Sequence, residues 1–214
     1  MARNPEATIS DLLEAAAQLF VSRAYDDIKL TDIARASGVT KGAIYHHFDS
    51  KEDVFLSMMD RKLRAFREDL RPALNYGTTT RDRLYRLTYL YLSKPLIEQR
   101  VIQLVRRDSQ RFHGEARRKL IHTYQEALPN QIEEILTAGM EAGEIVLGDA
   151  QLLARVFVAH VEVYLSDYAR RHFEGPEAMA RHITDQFLNG VATASHRTAI
   201  PPIPLTDTTQ GGNA

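Results

Sequence analysis

Apolar residues recur at helical spacing along most of the chain. Between Ile9 and Phe20 they follow the i, i+3, i+4, i+7 pattern of a helix with one buried face. A second run with this spacing follows Gly175-Pro176 and consists of Met179, Ile183, Phe187, Gly190 and Val191. No segment alternates strictly between apolar and polar residues over a strand's length. The pattern predicts an all-α protein of about nine helices.

The carboxyl-terminal stretch has a different composition. Thr198–Ala214 combines three prolines with Gly-Gly and polar residues, which is typical of a segment without a packed core. We therefore expect residues 198–214 to form a flexible tail. The chain shows no self-similarity with a period of 20–50 residues, so a solenoid is not expected.

The clearest local signals lie between Thr31 and Asp53. Thr31 and Thr40 are each suited to cap the start of a short helix, and Gly38 can adopt the positive φ that ends the first one. Ser50 is suited to start a third helix, since Ser50-x-x-Asp53 resembles a capping box. Two short helices joined by a glycine-containing turn predict a helix-turn-helix at about residues 29–48.

The second helix of this motif has an apolar inner face and a polar outer face. Ile44 and Phe48 point inward, and the outward positions are Thr40, Lys41, Gly42, Ala43, Tyr45, His46 and His47. Adjacent helical positions point about 100° apart, so the two histidines are not expected to bind a metal together. Spacing alone leaves two interpretations open: the helix enters a DNA major groove, or the two helices are simply a packing unit.

Charge gives only local support to DNA binding. The whole chain has 27 basic and 28 acidic side chains and a net charge of −1. Residues 29–51 have a net charge of +2, whereas from Met1 to Asp60 six basic residues oppose ten acidic ones. Affinity for DNA comes largely from phosphate contacts, which an acidic segment disfavours. The binding face must therefore be narrow, with helix N-termini and hydroxyls supplementing few cations.

Composition and motifs exclude several other classes. The chain has no cysteine, which excludes disulfide scaffolds, thiolate metal sites and a cysteine nucleophile. No apolar run approaches 18 residues and the first residues, MARNPEATIS, contain no apolar signal region; we expect a cytoplasmic protein without a membrane partner. Common catalytic and metal motifs are absent from the sequence. We therefore predict no catalytic residue, no metal site and no cofactor, and interpret Asp26-Asp27 as a solvated turn.

Two segments, LLEAAAQLF (12–20) and LTDIARASGVTKGAIYHHFDSKEDVF (30–55), resemble the DNA-binding domain of the tetracycline-repressor (TetR) family of bacterial transcription regulators. The block GVTKGAIYHHF (38–48), followed by Lys51, is far more specific than a generic helix-turn-helix. The resemblance implies a three-helix DNA-binding domain at residues 6–66. It also implies a helical ligand-binding and dimerisation domain at residues 67–197.

The resemblance also implies roles for individual residues. The positions that contact phosphates in the family correspond to Thr31, Tyr45, His46 and Lys51. The positions that face the groove correspond to Lys41, Gly42 and Ala43, and Thr40 could do either. Ala43 departs from members with a polar side chain there, so base readout is expected to be sparse and DNA shape to contribute. A competing interpretation is that Tyr45 packs against the first helix.

The segment Leu152–Tyr168 is apolar on nearly every side. A helix of this kind is buried on two faces, against its own core and against something else. In the family the last two helices pair with those of a second subunit, so we expect a homodimer through about residues 151–191. The alternative is a central helix within a monomeric core.

Polar groups intrude on apolar helix faces in the second half of the chain. Buried polar groups need partners, which a ligand could supply. The candidate ligand pocket therefore consists of Tyr89, Asp108, Phe112, Tyr124 and His160; the alternative is that these are core residues satisfied by the protein. A basic run offers a secondary anion-binding surface: Arg106, Arg107, Arg111, Arg117, Arg118 and Lys119.

Together these observations predict a ligand-responsive transcription regulator. It would bind double-stranded operator DNA of pseudo-palindromic sequence as a repressor, and an unidentified small-molecule effector would release it. Two alternatives remain open: a dimeric DNA-binding protein without an effector, and an all-α enzyme.

Overall fold

The structure is a computed structural model that describes residues 5–189, with side chains described from Ile9 onward. Within residues 5–189 the fold consists of α-helices and short 3₁₀ turns, without a strand. The eleven α-helices of this range are α1 Pro5–Ser22, α2 Leu30–Ser37, α3 Lys41–His47, α4 Lys51–Leu70, α5 Thr80–Leu92, α6 Leu96–Asp108, α7 Gly114–Ala127, α8 Pro129–Glu141, α9 Ala150–Tyr164, α10 Asp167–Arg170 and α11 Pro176–Asn189. The predicted all-α class is confirmed.

The helix count exceeds the nine predicted from periodicity. Pro129 starts α8 directly after α7, since proline is well suited to the first turn of a helix. Ser166 caps the single turn of α10 by accepting a hydrogen bond from the Ala169 amide at 3.3 Å. The predicted tail, residues 198–214, and the last two residues of the predicted dimerisation segment, 190 and 191, lie outside the described residues.

Helices α1 to α4 form an amino-terminal unit in which α1 packs on α2 and α4. The prediction that Thr31 caps α2 is wrong, because the helix begins two residues earlier, after Lys29. The Asp32 carboxylate accepts the Lys29 amide at 3.0 Å, so the acidic side chain determines the start of the helix. Gly38 ends α2 with φ of 70°, as predicted.

Helix α4 links the amino-terminal unit to the rest of the protein. It starts at the predicted cap: the Ser50 hydroxyl accepts the Asp53 amide at 3.0 Å and donates to the Asp53 carboxylate at 2.8 Å. The helix runs without a break to Leu70. The domain boundary expected at 66/67 therefore falls inside α4.

Helices α5 to α11 form the second unit. Helix α5 packs on α11 and α8, α8 packs on α9, and α7 packs on α4. No helix among residues 5–189 has both the length and the apolar character needed to cross a membrane.

An aromatic cluster lies where the two units meet. Phe20 from α1, Tyr25 from a 3₁₀ turn, Phe55 from α4 and Phe112 from the segment before α7 have neighbouring ring centroids 4.9–5.8 Å apart. Aromatic rings at these separations bury a large apolar area in a defined geometry. The cluster therefore joins the amino-terminal unit to the α6–α7 connection.

Candidate DNA-binding surface and ligand cavity

The orientation of α3 is determined by both of its ends and by its inner face. The Thr40 hydroxyl accepts the Ala43 amide at 3.2 Å, which is the predicted cap. Ile44 is fully buried and Phe48 is nearly so. Because these contacts fix the inner face, the opposite face of a seven-residue helix must point away from the protein.

The outer face of α3 carries the residues predicted to meet DNA. Lys41, Gly42, Tyr45 and His46 are exposed, and Ala43 is half-buried. Tyr45 is 47% exposed and its ring lies 5.8 Å from the Lys41 ammonium. The alternative in which Tyr45 is buried against α1 does not fit this exposure. The helix thus presents a cation, a hydroxyl and small residues on one accessible face.

Among residues 9–189, Gly42 has no neighbour that requires a glycine. A Cβ atom placed there would meet only the Thr40 hydroxyl oxygen, at 4.0 Å. Glycine in a helix costs about 0.5–1 kcal/mol relative to alanine. The protein interior therefore gives no reason for this residue, which is consistent with close approach of an external molecule.

Lys51 begins α4 and does not extend freely into solvent. Its ammonium donates to the Tyr25 carbonyl at 2.7 Å and lies 4.2 Å from the centroid of the Tyr25 ring. This hydrogen bond uses one of the three N–H donors. Thr31, in the first turn of α2, is half-buried. The phosphate contacts expected of both residues stay predictions.

The two histidines of α3 lie side by side, with ring centroids 5.1 Å apart. The described part of the chain contains no group of three or more side chains placed to hold a metal ion. His46 is exposed and His47 is half-buried, so His46 is the more accessible of the two to a phosphate.

A cavity of about 380 Å³ lies between α6, α7, α8 and α9, within the range of small-molecule sites. Its lining residues come from all four helices and from the segment that follows α6: Val105, Arg106, Ser109, Ile121, Tyr124, Gln125, Pro129, Asn130, Glu133, Gln151, Arg155, Val158, Ala159 and Glu162. Of the five predicted pocket residues, Tyr124 alone is among them.

Two of the predicted pocket residues lie at the junction of the two units. Asp108 is buried, and both of its carboxylate oxygens accept hydrogen bonds from arginines, Arg107 at 2.7–2.8 Å and Arg111 at 3.1 Å. Phe112 packs in the aromatic cluster. Periodicity along α6 correctly indicated that Asp108 is buried, but its partners are protein groups rather than a ligand.

The other two predicted pocket residues also have protein partners. The His160 ring lies 2.7 Å from the Gln186 amide oxygen of α11, which also accepts the Tyr164 hydroxyl at 2.5 Å. Tyr89, on α5, is half-buried beside Tyr85, with ring centroids 6.3 Å apart. Both belong to packing between helices, which was the alternative interpretation of these residues.

Polar groups line the cavity on all four helices. The Arg106 guanidinium and the Glu162 carboxylate form an ion pair at 2.5 Å. Burial, reinforced by the Glu162 charge, raises the pKa of the Tyr124 phenol to about 12, so that it remains a hydrogen-bond donor at neutral pH. The cavity therefore combines apolar contacts, such as those of Val105, Ile121 and Val158, with polar anchors from each helix.

A basic groove adjoins this cavity along α7. It is lined by His113, Arg117, Arg118 and His122 and shares Ile121 and Gln125 with the cavity. The groove is formed from part of the basic run identified in the sequence. An apolar compartment thus lies directly beside a cationic surface.

Helix α9 has two apolar faces. Ala154, Phe157, Val158 and Val161 are buried in the protein's own core. On the other side, Leu152, Val156 and Val163 are 57%, 48% and 68% exposed. These three residues follow i, i+4, i+11 spacing and form one stripe, which we call the α9 stripe.

Comparisons with known proteins agree with this geometry. Residues 12–58 match the family described as bacterial regulatory proteins, tetR family. Over 147 residues the chain is 25% identical to the fatty acid metabolism regulator protein of Bacillus subtilis (strain 168), covering 69% of this chain and 75% of the relative. Two other curated regulators match at 42% and 48% identity over shorter segments, where the chain spans about a quarter of their length (26% and 28%).

Solved structures share the fold of nearly the whole chain. FadR from Bacillus subtilis in complex with stearoyl-CoA superposes with a TM-score of 0.72 at 20% identity, covering 86% of this chain and 99% of that chain. AibR in complex with isovaleryl coenzyme A and operator DNA gives 0.70 at 20% identity, with coverage of 85% and 98%. The matching DNA-binding segment, the related regulators and the shared fold all indicate the TetR family of bacterial transcription regulators.

Proposed function

We propose that this protein is a ligand-responsive transcriptional repressor that binds a pseudo-palindromic operator as a homodimer. The observation that carries this proposal is the outer face of α3. A short helix, capped by Thr40 and anchored by Ile44, leaves Lys41, Gly42 and Tyr45 exposed together. A major groove about 12 Å wide admits such a helix when its leading face carries small side chains.

The contacts with DNA divide into two groups. Lys41, Gly42 and Ala43 face the bases, while Thr31, Tyr45, His46 and Lys51 contact phosphates on either side; Thr40 can reach both. Since Lys41 is the only cation among the groove-facing residues, phosphate contacts and DNA shape supply most of the affinity and much of the specificity. This division fits the acidic balance of residues 1–60.

The homodimer forms through α9 and α11. The α9 stripe supports this, because Leu152, Val156 and Val163 remain exposed after α9 has packed on its own core. A two-fold symmetric operator requires two DNA-binding units at a fixed separation. The proposed dimer supplies them, with the interface in the second unit and α3 of each subunit in the first.

The effector binds in the cavity between α6 and α9. Its apolar part occupies the cavity beside Val105, Ile121 and Val158, and its anionic part lies on the basic groove of α7. Coenzyme A thioesters, the ligands named for two structural neighbours, combine these features. The direct connection between an apolar cavity and a cationic groove supports such a ligand and disfavours a DNA-binding protein without an effector.

Two measurements on the full chain test this function. Repeated selection from random duplex DNA should enrich a sequence with two-fold symmetry. Operator affinity, followed by fluorescence anisotropy, should then fall between about fivefold and 150-fold with stearoyl-CoA, the range of typical coupling energies. Free coenzyme A, without an acyl chain, should have little effect.

Matched variants locate the effector. Ile121→Trp fills the cavity and should abolish the response to stearoyl-CoA, whereas Ile97→Trp, a half-buried position on α6 away from the cavity lining, should preserve it. Operator release that persists in Ile121→Trp would contradict the cavity as effector site. Failure of all acyl-CoA chain lengths to act would contradict the proposed effector class, and failure of DNA selection would contradict the function itself.

A further inference from the structure

The last turn of α6 contains a buried carboxylate with two arginine partners. Asp108 is 1% exposed. Its Oδ2 atom accepts the Nε and Nη2 groups of Arg107 at 2.8 and 2.7 Å, and its Oδ1 atom accepts Nε of Arg111 at 3.1 Å. Charge-assisted hydrogen bonds of this kind are directional as well as strong. Asp108 therefore fixes the direction of both guanidinium groups.

Both arginines extend from Asp108 to the DNA-binding unit. Arg107 donates to the Phe20 carbonyl, near the end of α1, at 2.7 Å. Arg111 donates to the Asp26 carboxylate at 2.6 Å. Asp26 was expected to lie in a solvated turn, and its side chain is indeed 69% exposed, but it is also an ion-pair partner. One buried carboxylate thus holds two separate points of the amino-terminal unit.

The same contacts lead to a residue predicted to bind DNA. Tyr25, next to Asp26, packs against Phe112 with ring centroids 5.8 Å apart. The Tyr25 carbonyl and ring hold the Lys51 ammonium. The position of the Lys51 ammonium consequently depends on the 3₁₀ turn at Tyr25–Asp27, and Arg111 binds this turn through Asp26.

Helix α6 also forms one wall of the proposed effector cavity. Val105, Arg106 and Ser109 line the cavity, and Arg107 and Asp108 lie between them in the sequence. Because these residues belong to one helical turn and its continuation, a ligand that displaces this wall displaces the arginine contacts as well.

We propose that Asp108 is the positioning residue that couples the cavity to the DNA-binding unit, acting through Arg107 on Phe20 and through Arg111 on Asp26. The proposal rests on the proposed function, since it names the connection between that function's two sites. Displacement of α6 by a ligand releases the turn at Tyr25–Asp27 and the end of α1. The fraction of molecules with α3 and Lys51 correctly placed falls, and operator affinity falls with it.

The test measures the relative position of the two units directly. Because the chain has no native cysteine, spin labels can be attached at Ala36→Cys on α2 and Glu134→Cys on α8, both exposed positions. Labelled chains are mixed with an excess of unlabelled chain, so that both labels of a measured pair belong to one subunit. Double electron–electron resonance then gives the distribution of label-to-label distances. The measurement requires neither DNA nor effector.

Three variants are compared with a control. Asp108→Asn keeps the side-chain volume and removes the charge; Arg111→Gln and Asp26→Asn break the link at exposed side chains that do not threaten the core. The control is Arg100→Gln, which makes the same charge change as Arg111→Gln. Arg100 lies on α6, and its ion-pair partner, Asp167, belongs to the second unit. We expect the distance distribution to broaden or shift in the three variants and to remain as in the wild type in the control.

Operator affinity provides a second readout. It should fall by about fivefold or more in Arg111→Gln, the lower range of typical coupling. The double variant Asp26→Asn/Arg111→Gln should lose no more affinity than either single variant, because both break the same link.

Clear results would overturn the proposal. Distance distributions in Arg111→Gln and Asp26→Asn that match the wild type would show that these contacts do not hold the two units. Equal broadening in Arg100→Gln would assign the effect to charge alone. The distance distribution of Asp108→Asn counts as a test only if its circular dichroism spectrum and melting temperature show a folded protein. If Asp108→Asn does not fold, Arg111→Gln and Asp26→Asn alone test the proposal. Failure to find an operator would refute the proposed function and leave the distance test valid.

Discussion

The helix-turn-helix and the ligand cavity are built in opposite ways. Helices α2 and α3 have 8 and 7 residues. Each starts at a hydrogen bond between groups three residues apart: the Asp32 carboxylate accepts the Lys29 amide, and the Thr40 hydroxyl accepts the Ala43 amide. The cavity is lined by helices of 13–15 residues, and its Arg106–Glu162 pair joins residues 56 positions apart. One site is determined locally, the other by tertiary packing.

This difference predicts that the two sites respond differently to substitution. The bounds of α3 depend on a local cap, and its outer face depends on the burial of only two side chains, Ile44 and Phe48. A cavity between long helices changes shape with every side chain that lines it, since interiors are closely packed. Substitutions in the cavity lining should therefore leave the DNA-binding surface unchanged, provided that contacts such as Arg111–Asp26 still connect the two units.

The largest effect is expected at the α9 stripe, the proposed interface between two subunits. The double variant Val156→Lys/Val163→Lys should give a folded monomer, because both side chains are already exposed within the subunit. Loss of the second DNA-binding unit should reduce operator affinity by about 100-fold or more. Sedimentation velocity and anisotropy measure the two results.

The matched control lies on the opposite face of α9. Val161 is 2% exposed, so Val161→Lys should unfold the subunit by burying an unpaired charge rather than separate a dimer. A wild-type protein that sediments as a monomer at micromolar concentration would contradict the dimer, as would a stripe variant that remains dimeric.

The second prediction tests the locally determined surface. Gly42→Leu should raise stability by about 0.5–1 kcal/mol, since the position is helical and open, yet reduce operator affinity by about tenfold or more through a clash with DNA. Gly42→Ala should be similarly stabilising and bind better than Gly42→Leu. Normal operator binding by Gly42→Leu would mean that α3 does not enter the groove in this orientation.

The third prediction concerns Lys51, the first residue of α4, which follows the helix-turn-helix. Lys51→Ala should weaken binding to operator and scrambled DNA to a similar, severalfold extent, because a phosphate contact carries no sequence information. The slope of log affinity against log salt should become shallower by about one. If both slope and affinity are unchanged, Lys51 serves only to hold the Tyr25 carbonyl.

The smallest effect is the pH dependence due to Tyr25. Burial, with contributions from the Glu52 and Asp26 charges, raises the pKa of its phenol to about 12, from 10 in an unfolded chain. The folded protein thus keeps a proton that the unfolded chain releases, so its stability should fall as pH rises from about 10 to 12. Denaturant titrations of wild type and Tyr25→Phe measure this: the fall should be smaller in the variant, and equal falls would contradict the assignment.

The locally determined helix-turn-helix was easier to predict from the sequence than the cavity, which depends on tertiary packing. The bounds of α3 were predictable because Thr40 and the apolar pair Ile44 and Phe48 act within eight residues. Thr31 was a plausible cap, but the Asp32 carboxylate accepts the Lys29 amide, and the helix begins after Lys29 instead. The sequence also indicated a two-faced α9 correctly.

The cavity could not be predicted in the same way. Burial of Asp108 follows from periodicity, yet the sequence alone cannot say whether its partner is a ligand or a neighbouring arginine. The adjacent Arg107 and Arg111 were a usable signal, since they lie one and three residues away. Their second contacts, Phe20 and Asp26, lie 87 and 85 positions away and depend on how α6 packs against α1.

In the proposed complex, α3 enters the major groove twice, once from each subunit of a dimer. Hydroxyl-radical footprinting of the wild-type protein on its selected operator tests it most directly. We predict two protected segments related by two-fold symmetry, with centres separated by one helical turn of about 10–10.5 base pairs or a multiple of it. A single protected segment, or protection without two-fold symmetry, would contradict it.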